Sequence, residues 1–298
     1  MKIFLTGATG FVGSQLARRL LSAGHEVAVL VRAESRLDTL QPVLSQIGVH
    51  RYDGSYGSLA QAMHDAKPEA IIHLASLFLV QHKPEDVERL VRANIGFPAQ
   101  LLEAASQSGV RHLINTGTFW QHYQNEAGNP ANLYAASKQA FEALLAWYVE
   151  ARGMKAITLK LFDIYGPGDT RPKLFHLLRD CARTGNSLKM SPGGQLLDLV
   201  FIDDVLDAYE LALQRLSGVT GHECYAVSNP VRVSLRELVR TYAEVVGRPV
   251  DIEWGGLPYR PREVMEPWSD GTTLPGWQVR TGLEEGIRRM EQDDRASS

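Results

Sequence analysis

Thr6-Gly7-Ala8-Thr9-Gly10-Phe11-Val12-Gly13 is the segment that most restricts what this chain can become. It follows residues 2–5, a short apolar run that reads as a buried strand. It opens residues 11–23, a helix whose apolar positions include Phe11, Leu16, Leu20 and Leu21 and which Gly24 ends. Three glycines at a strand-to-helix junction allow a tight turn and a close backbone approach. The helix start then offers free N–H groups and a positive dipole end to an anion. The spacing is G-x-x-G-x-x-G, and its place directly after the first strand gives it weight. Gly7, Thr9, Gly10, Phe11, Val12 and Gly13 are therefore expected to hold a dinucleotide pyrophosphate.

The same rhythm continues. Residues 27–31, 49–52, 70–75, 111–115 and 156–162 read as strands. Helical stretches lie near 58–66, 85–108 and 132–152, with Pro98 expected to bend or interrupt the second. Repeated strand–helix–strand units predict an α/β fold, a doubly wound parallel sheet covered on both faces, with right-handed crossovers. After residue 162 the rhythm breaks at Gly166-Pro167-Gly168-Asp169. A helix at 172–184, one buried strand at 197–202, and helices at 205–216 and 234–246 follow. The expected division is a nucleotide-binding domain over 1–162, with 196–216 returning to it, and a smaller C-terminal substrate lobe over 163–195 and 217–298. The polar tail 291–298 is expected to fray.

Composition narrows the function. Hydrophobic residues make up 44% of the 298 residues and charged residues 22%, as in ordinary globular proteins. A net charge of −3 is too near neutral for a general nucleic-acid or membrane-surface binder. Cys181 and Cys224 have neither metal-type nor redox spacing, so no metal site and no disulfide framework are expected, and a reducing cytoplasm suits them. No apolar run reaches the length of about 18 residues that a membrane-spanning helix needs.

The end of the second strand selects the dinucleotide. An NAD site places a carboxylate there to accept from the ribose hydroxyls. Here Val31 is followed by Arg32, and no acid stands at positions 30 to 32. Arg32, with Arg36, is expected to meet the 2′-phosphate of NADP(H), which is preferred, while NAD(H) stays possible because Glu34 can take the ribose contact. Asp53-Gly54 is placed at the adenine edge, and Leu74-Ala75-Ser76 flanks the cofactor. Asn94, unfavourable in mid-helix, is expected to brace the site.

Tyr134-Ala135-Ala136-Ser137-Lys138 opens the helix after the fifth strand. Spacing i,i+4 puts phenol and ammonium on one face, where the charge can lower the phenol pKa from about 10. A third hydroxyl is expected at the end of the fifth strand. Thr118 is chosen over Thr116, which lies further inside the strand.

These residues give the chain a clear resemblance, over nearly its whole length, to the extended short-chain dehydrogenase/reductases of the sugar-nucleotide epimerase/dehydratase superfamily. The glycine loop, His73-Leu74-Ala75-Ser76, Asn94, Thr118, Tyr134 to Lys138 and Tyr165-Gly166-Pro167-Gly168 carry it. The resemblance implies a Rossmann-type domain, a lobe holding a nucleoside diphosphate sugar, and a homodimer paired through helices near 85–108 and 132–152. Departures from the pattern are informative. Phe119-Trp120 replaces the Asp-Glu pair of the dehydratases, Gln121-His122-Tyr123 replaces Val-Tyr-Gly, Asp163 replaces Asn, and Leu197 replaces the diphosphate-binding Arg. Lys173 and Arg260 are the expected substitutes, with Thr118 and Asp163 also on the substrate. Phe119-Trp120, Asn132 and the stretch around Trp254 to Arg260 resemble the CDP-abequose and CDP-paratose synthases, which are 4-ketoreductases. The leading expectation is an NADPH-dependent ketoreductase of a nucleotide-linked deoxysugar. A 4-epimerase using NAD, a reductase of small non-nucleotide carbonyls and a non-catalytic cofactor sensor compete with it.

Arg32→Asp is expected to reverse the cofactor preference. Calorimetric affinities for NADP+ and NAD+ that are equal, and unmoved by the substitution, would reject the assignment.

Overall fold

The computed structural model describes residues 1–297. The first part of the chain runs β1 (Lys2–Thr6), α1 (Phe11–Ser22), β2 (Glu26–Arg32), β3 (Gly48–Tyr52), α2 (Tyr56–Ala66), β4 (Ala70–His73), α3 (Val87–Val91), α4 (Phe97–Gln107), β5 (His112–Thr118), α5 (Leu133–Arg152) and β6 (Lys155–Leu161). It continues with β7 (Asp163–Tyr165), α6 (Leu174–Thr184), β8 (Leu188–Met190), β9 (Leu196–Leu197), β10 (Leu199–Phe201) and α7 (Ile202–Arg215). The last elements are β11 (His222–Val227), β12 (Val233–Ser234), α8 (Leu235–Val246), β13 (Ile252–Trp254) and α9 (Leu283–Ser297). No described helix is long and apolar enough to cross a membrane.

Seven parallel strands form the main sheet in the order β11-β6-β5-β4-β1-β2-β3. The order reverses between β1 and β4, which leaves a crevice at their carboxyl ends, where such sheets bind ligands. Buried aliphatic residues cover both faces. Leu16, Leu20, Val205 and Tyr209 lie in one core, and Leu59, Leu101, Phe141 and Leu145 in the other.

Helix starts show how the sequence sets these elements. Asn132 caps α5 through Ala135 N, and Ser234 with Glu237 forms a capping box on α8. By contrast, α1 begins at Gly10 with no side-chain cap, so its first N–H groups stay open to an anion.

Several expectations are corrected. His222–Val227, assigned to the C-terminal lobe, pairs in parallel with β6 and completes the main sheet. Its residues Tyr225 to Val227 are buried, and burial outweighs its weak strand pattern. The single strand at 197–202 is two. β9 pairs antiparallel with β12, β10 pairs parallel with β7, and Asp198 lies between them. The long middle helix breaks before Pro98, in a π-turn over Arg92–Gly96. Pro98 has no N–H for the carbonyl four residues back, Asn94, which loosens that turn. The tail is not frayed through its length. α9 reaches Ser297, and Glu291 accepts from Tyr242 Oη at 2.8 Å and Arg179 Nε at 3.1 Å, while Ser298 lies outside the described residues.

A Cβ on Gly13 would stand 2.2 Å from the Gly7 carbonyl oxygen, a contact that only backbone movement relieves. Gly13→Ala is therefore expected to destabilise the protein by about 1–3 kcal/mol, the usual cost of overpacking. Denaturant melts with an unchanged midpoint would contradict the close packing of this turn.

Candidate active site

The crevice between β1 and β4 is closed at its floor by Thr6 and His73, whose side chains share a 2.7 Å hydrogen bond. Burial, and then the nearby Lys138 charge, hold the His73 imidazole well below its ordinary pKa, so it stays neutral. Above this floor Gly7 adopts φ +76°, and a Cβ there would meet Ala75 N at 2.6 Å. The glycine turn thus lies backbone to backbone against the segment leaving β4. Gly10 N donates to Gly7 O at 3.1 Å, which closes the turn. This cradle, with the uncapped start of α1, fits a pyrophosphate.

Arg32 and Arg36 stand at the end of β2 as expected, but both are solvated. Arg32 Nε lies 3.3 Å from Glu34, Arg36 Nε lies 2.8 Å from Asp38, and the two side chains are 76% and 86% exposed. Arg51, which no motif singled out, donates to the carbonyls of Arg32, Ala33 and Ser35 and shapes this loop. Asp53 sits at the end of β3, and Gly54 follows it at φ +97°. The Asp53 carboxylate accepts from Ser55 N at 2.8 Å, and hydrogen bonds from Ser55 and Ser58 bring its pKa down to about 2. It is thus committed to the start of α2.

Asn94 is fully used within the protein. Its oxygen accepts from Ser76 Oγ and Leu77 N, and its amide donates to Leu77 O and Ser137 Oγ. No valence remains for a cofactor, so it clasps the segment after Leu74, Ala75 and Ser76 to the start of α5. Ser137 Oγ donates onward to Tyr134 O at 2.6 Å.

Tyr134 and Lys138 lie one turn apart on α5. The expected lowering of the phenol does not occur. Burial pushes Tyr134 up to about 12, with the Ser76 side chain pulling the other way. The phenol is therefore protonated at neutral pH and has a proton to give. Lys138 is buried, and its ammonium has no hydrogen-bond or ion-pair partner among the described residues. Burial brings its ammonium down to about 8 against the opposing charge of Glu142. An ammonium in that state fits ribose hydroxyls on a bound dinucleotide.

Thr116 and Thr118 both lie within β5, which runs further than expected. The Thr116 hydroxyl is 2.6 Å from Tyr209 Oη, and Tyr209 feels the Tyr134 phenol electrostatically. The Thr118 hydroxyl accepts from Trp120 N at 3.3 Å and caps the next turn. His122 does not face the site. It stacks on Trp268 at 4.0 Å, and burial lowers it to about 4.

Asp163, Lys173 and Arg260 line one cavity of about 510 Å³ with Phe78, Trp120 and Leu197. Thr118 and Tyr134 are not among its described lining residues. Phe78, unnoticed in the sequence, joins the two regions. Its ring meets Tyr134 edge-on at 5.0 Å and Trp120 at 5.6 Å. Arg260 is committed to Glu263 through Nε and Nη2, which neutralises it as an anchor. The Lys173 ammonium has no hydrogen-bond or ion-pair partner among the described residues, and it lies 4.6 Å from the Phe78 ring centre. Burial raises the Asp163 carboxyl, and Lys173 opposes that rise.

Comparison with known proteins places these features in context. The profile of the NAD dependent epimerase/dehydratase family matches residues 3–227. A CDP-abequose synthase of Yersinia pseudotuberculosis is 27% identical over 90% of this chain and 92% of its own length. A UDP-glucose 4-epimerase of Mycolicibacterium smegmatis is 29% identical over 97% of each chain. The UDP-glucose 4-epimerase of Thermus thermophilus, solved in complex with NAD, superposes with a TM-score of 0.85 at 26% identity over 100% of both chains.

Since Lys138 loses its proton near pH 8, NADPH affinity is expected to fall as pH rises through that value. Lys138→Arg should remove the fall, because a guanidinium stays charged. Fluorescence titrations on either side of that pH check this, and a pH-independent wild-type affinity would count against it.

Proposed function

The chain belongs to the NAD dependent epimerase/dehydratase family, and on that premise we propose that it reduces the keto group of a nucleoside-diphosphate 4-keto-deoxysugar with NADPH. The observation that carries this reading is a half-buried, protonated Tyr134 set against an aromatic wall of Phe78 and Trp120. A protonated phenol suits carbonyl reduction, and an apolar wall suits a sugar that has lost hydroxyls. The absence of an acid at the end of β2 agrees with NADPH. CDP-abequose synthases among the relatives agree with the substrate class.

When bound, the dinucleotide supplies the hydride. Tyr134 gives its O–H proton to the carbonyl oxygen as the carbon is reduced. Lys138 holds the ribose and stabilises the phenolate left behind. Thr118 orients the carbonyl, and Thr116 on the same strand face is the alternative hydroxyl. Lys173 holds the diphosphate, with Asp163 nearby, while Arg260, held by Glu263, adds little.

A second reading, a 4-epimerase retaining NAD, is favoured by the pairing of Arg32 with Glu34, which sets a carboxylate just beyond the end of β2. Cofactor carried through purification would support it, whereas turnover of added NADPH supports reduction. Thermal shifts with CDP-, GDP-, UDP- and dTDP-sugars in the presence of NADP+ identify the nucleotide. We also infer a homodimer through α3, α4 and α5, where Val87, Val91 and Trp147 are exposed. Trp147→Asp should then yield monomers in sedimentation.

Tyr134→Phe is expected to abolish turnover and leave cofactor affinity nearly intact. Thr118→Val should lower kcat by about tenfold to a hundredfold, as for a lost hydrogen bond to developing charge, and Thr116→Val should do so only if that hydroxyl is the partner. Lys173→Ala should raise the sugar-nucleotide KM by about tenfold to a hundredfold, with Arg260→Ala much milder. Steady-state kinetics decide each, and an active Tyr134→Phe variant would overturn the proposed chemistry.

A further inference from the structure

Beneath the catalytic turn lies a buried polar network that none of the roles above uses. Gln121, fully buried, accepts from Thr118 N through Oε1 at 3.0 Å. Its amide donates to Gln139 Oε1 and Glu142 Oε1, both at 2.9 Å. Glu142 Oε2 lies 3.2 Å from Lys160 Nζ, and both side chains are almost wholly buried. Lys160 in turn donates to His122 Nε2 at 2.9 Å, and His122 stacks on Trp268. The chain of bonds therefore starts at a β5 peptide, passes through α5, reaches β6 and ends on the segment after β13.

Gly117 shows how closely this network is applied to the strand. A Cβ there would lie 3.1 Å from Gln121 Oε1, 3.1 Å from Glu142 Oε1 and 3.0 Å from Thr158 Cγ2. Glu142 is also one helical turn beyond Lys138, on the helix that carries Tyr134. A buried ion pair costs desolvation that its attraction barely repays. Simple stability does not require one here, since an apolar set of similar volume would serve. What the pair adds is direction, because each hydrogen bond fixes one group relative to the next.

We propose that Gln121 and Glu142 are positioning residues, which hold the Gly117–Thr118 peptide, and with it the hydroxyl-bearing end of β5, in register with the helix carrying Tyr134 and Lys138. The inference rests on the assignment of the chemistry to those residues. Neither Gln121 nor Glu142 touches substrate or cofactor. They act through the peptide of Thr118 and through the pitch of α5. Gln121 is suited to this because its amide accepts on one side and donates on the other. A carboxylate at 121 would face Glu142 with like charge.

Exchanging the two groups tests this. Gln121→Leu is expected to lower kcat at least tenfold, with KM for sugar nucleotide and NADPH within twofold. Amide hydrogen exchange at Thr118 should accelerate at least tenfold, while β1 stays protected. Q121E alone should behave similarly, and the double variant Q121E/E142Q, which restores one donor facing one acceptor, should regain most of both readouts. The assays use NADPH with a CDP-4-keto-3,6-dideoxy sugar, and UDP-glucose for the epimerase reading. Unchanged exchange at Thr118 in Gln121→Leu overturns the inference, with or without turnover of either substrate. So does a double variant that recovers its melting temperature but not its Thr118 protection. Normal turnover by Tyr134→Phe would instead remove the assigned chemistry, and the exchange result would still decide whether Gln121 holds the peptide.

Discussion

No side chain fits between the glycine turn and its neighbours, and much of the site depends on that contact. At Gly7 a Cβ would strike the backbone of Ala75, and at Gly13 it would strike the carbonyl of Gly7. β1, α1 and the segment leaving β4 therefore meet backbone to backbone. This sets the open N–H groups of α1 over the crevice. It also fixes where Leu74, Ala75 and Ser76 leave the sheet, and Asn94 carries that placement to α5 by its four hydrogen bonds. The glycine turn and α5 are thus tied to one another through Asn94, although more than a hundred residues separate them in sequence.

The glycine spacing and the alternation of apolar runs with helical ones were enough to read the doubly wound sheet. Local signals specify those elements, and their crossover geometry leaves little choice. The return of β11 was not legible. His-Glu-Cys-Tyr-Ala-Val looks like any half-buried edge, and only the vacant side of β6 defines its partner. The break at Asp198 was hidden for a related reason. Within a run of apolar residues the acid reads as a fault, yet Ser228 Oγ and Asn229 N bind it at 2.6 and 2.7 Å from across the lobe. Burial still pushes it up to about 6.

The juxtaposition of Tyr134 and Lys138 was more legible than their state. Tyr134 and Lys138 were found by spacing, but spacing says nothing of solvent. Desolvation raises the phenol more than any neighbour lowers it, and the same burial brings the ammonium down. Arg260 illustrates the converse. Its partner three residues on was visible in the sequence, and the short loop lets that local pair form.

The three buried or half-buried lysines near the site separate structure from function. Lys160 is paired with Glu142, so its charge is answered inside the fold. Lys138 and Lys173 have no such partner among the described residues, and burial depresses both. Leaving an ammonium unpaired in a low-dielectric setting works against stability. Two such ammonium groups remain, and the proposed ligand offers acceptors at two places. Phe78 stands between these places, with its ring against Tyr134 on one side and beneath the Lys173 ammonium on the other. The spacing between the Tyr134 phenol and the Lys173 ammonium is thus set across one aromatic side chain. That dimension follows from tertiary contacts among residues 78, 134 and 173, and no local pattern in the sequence could carry it.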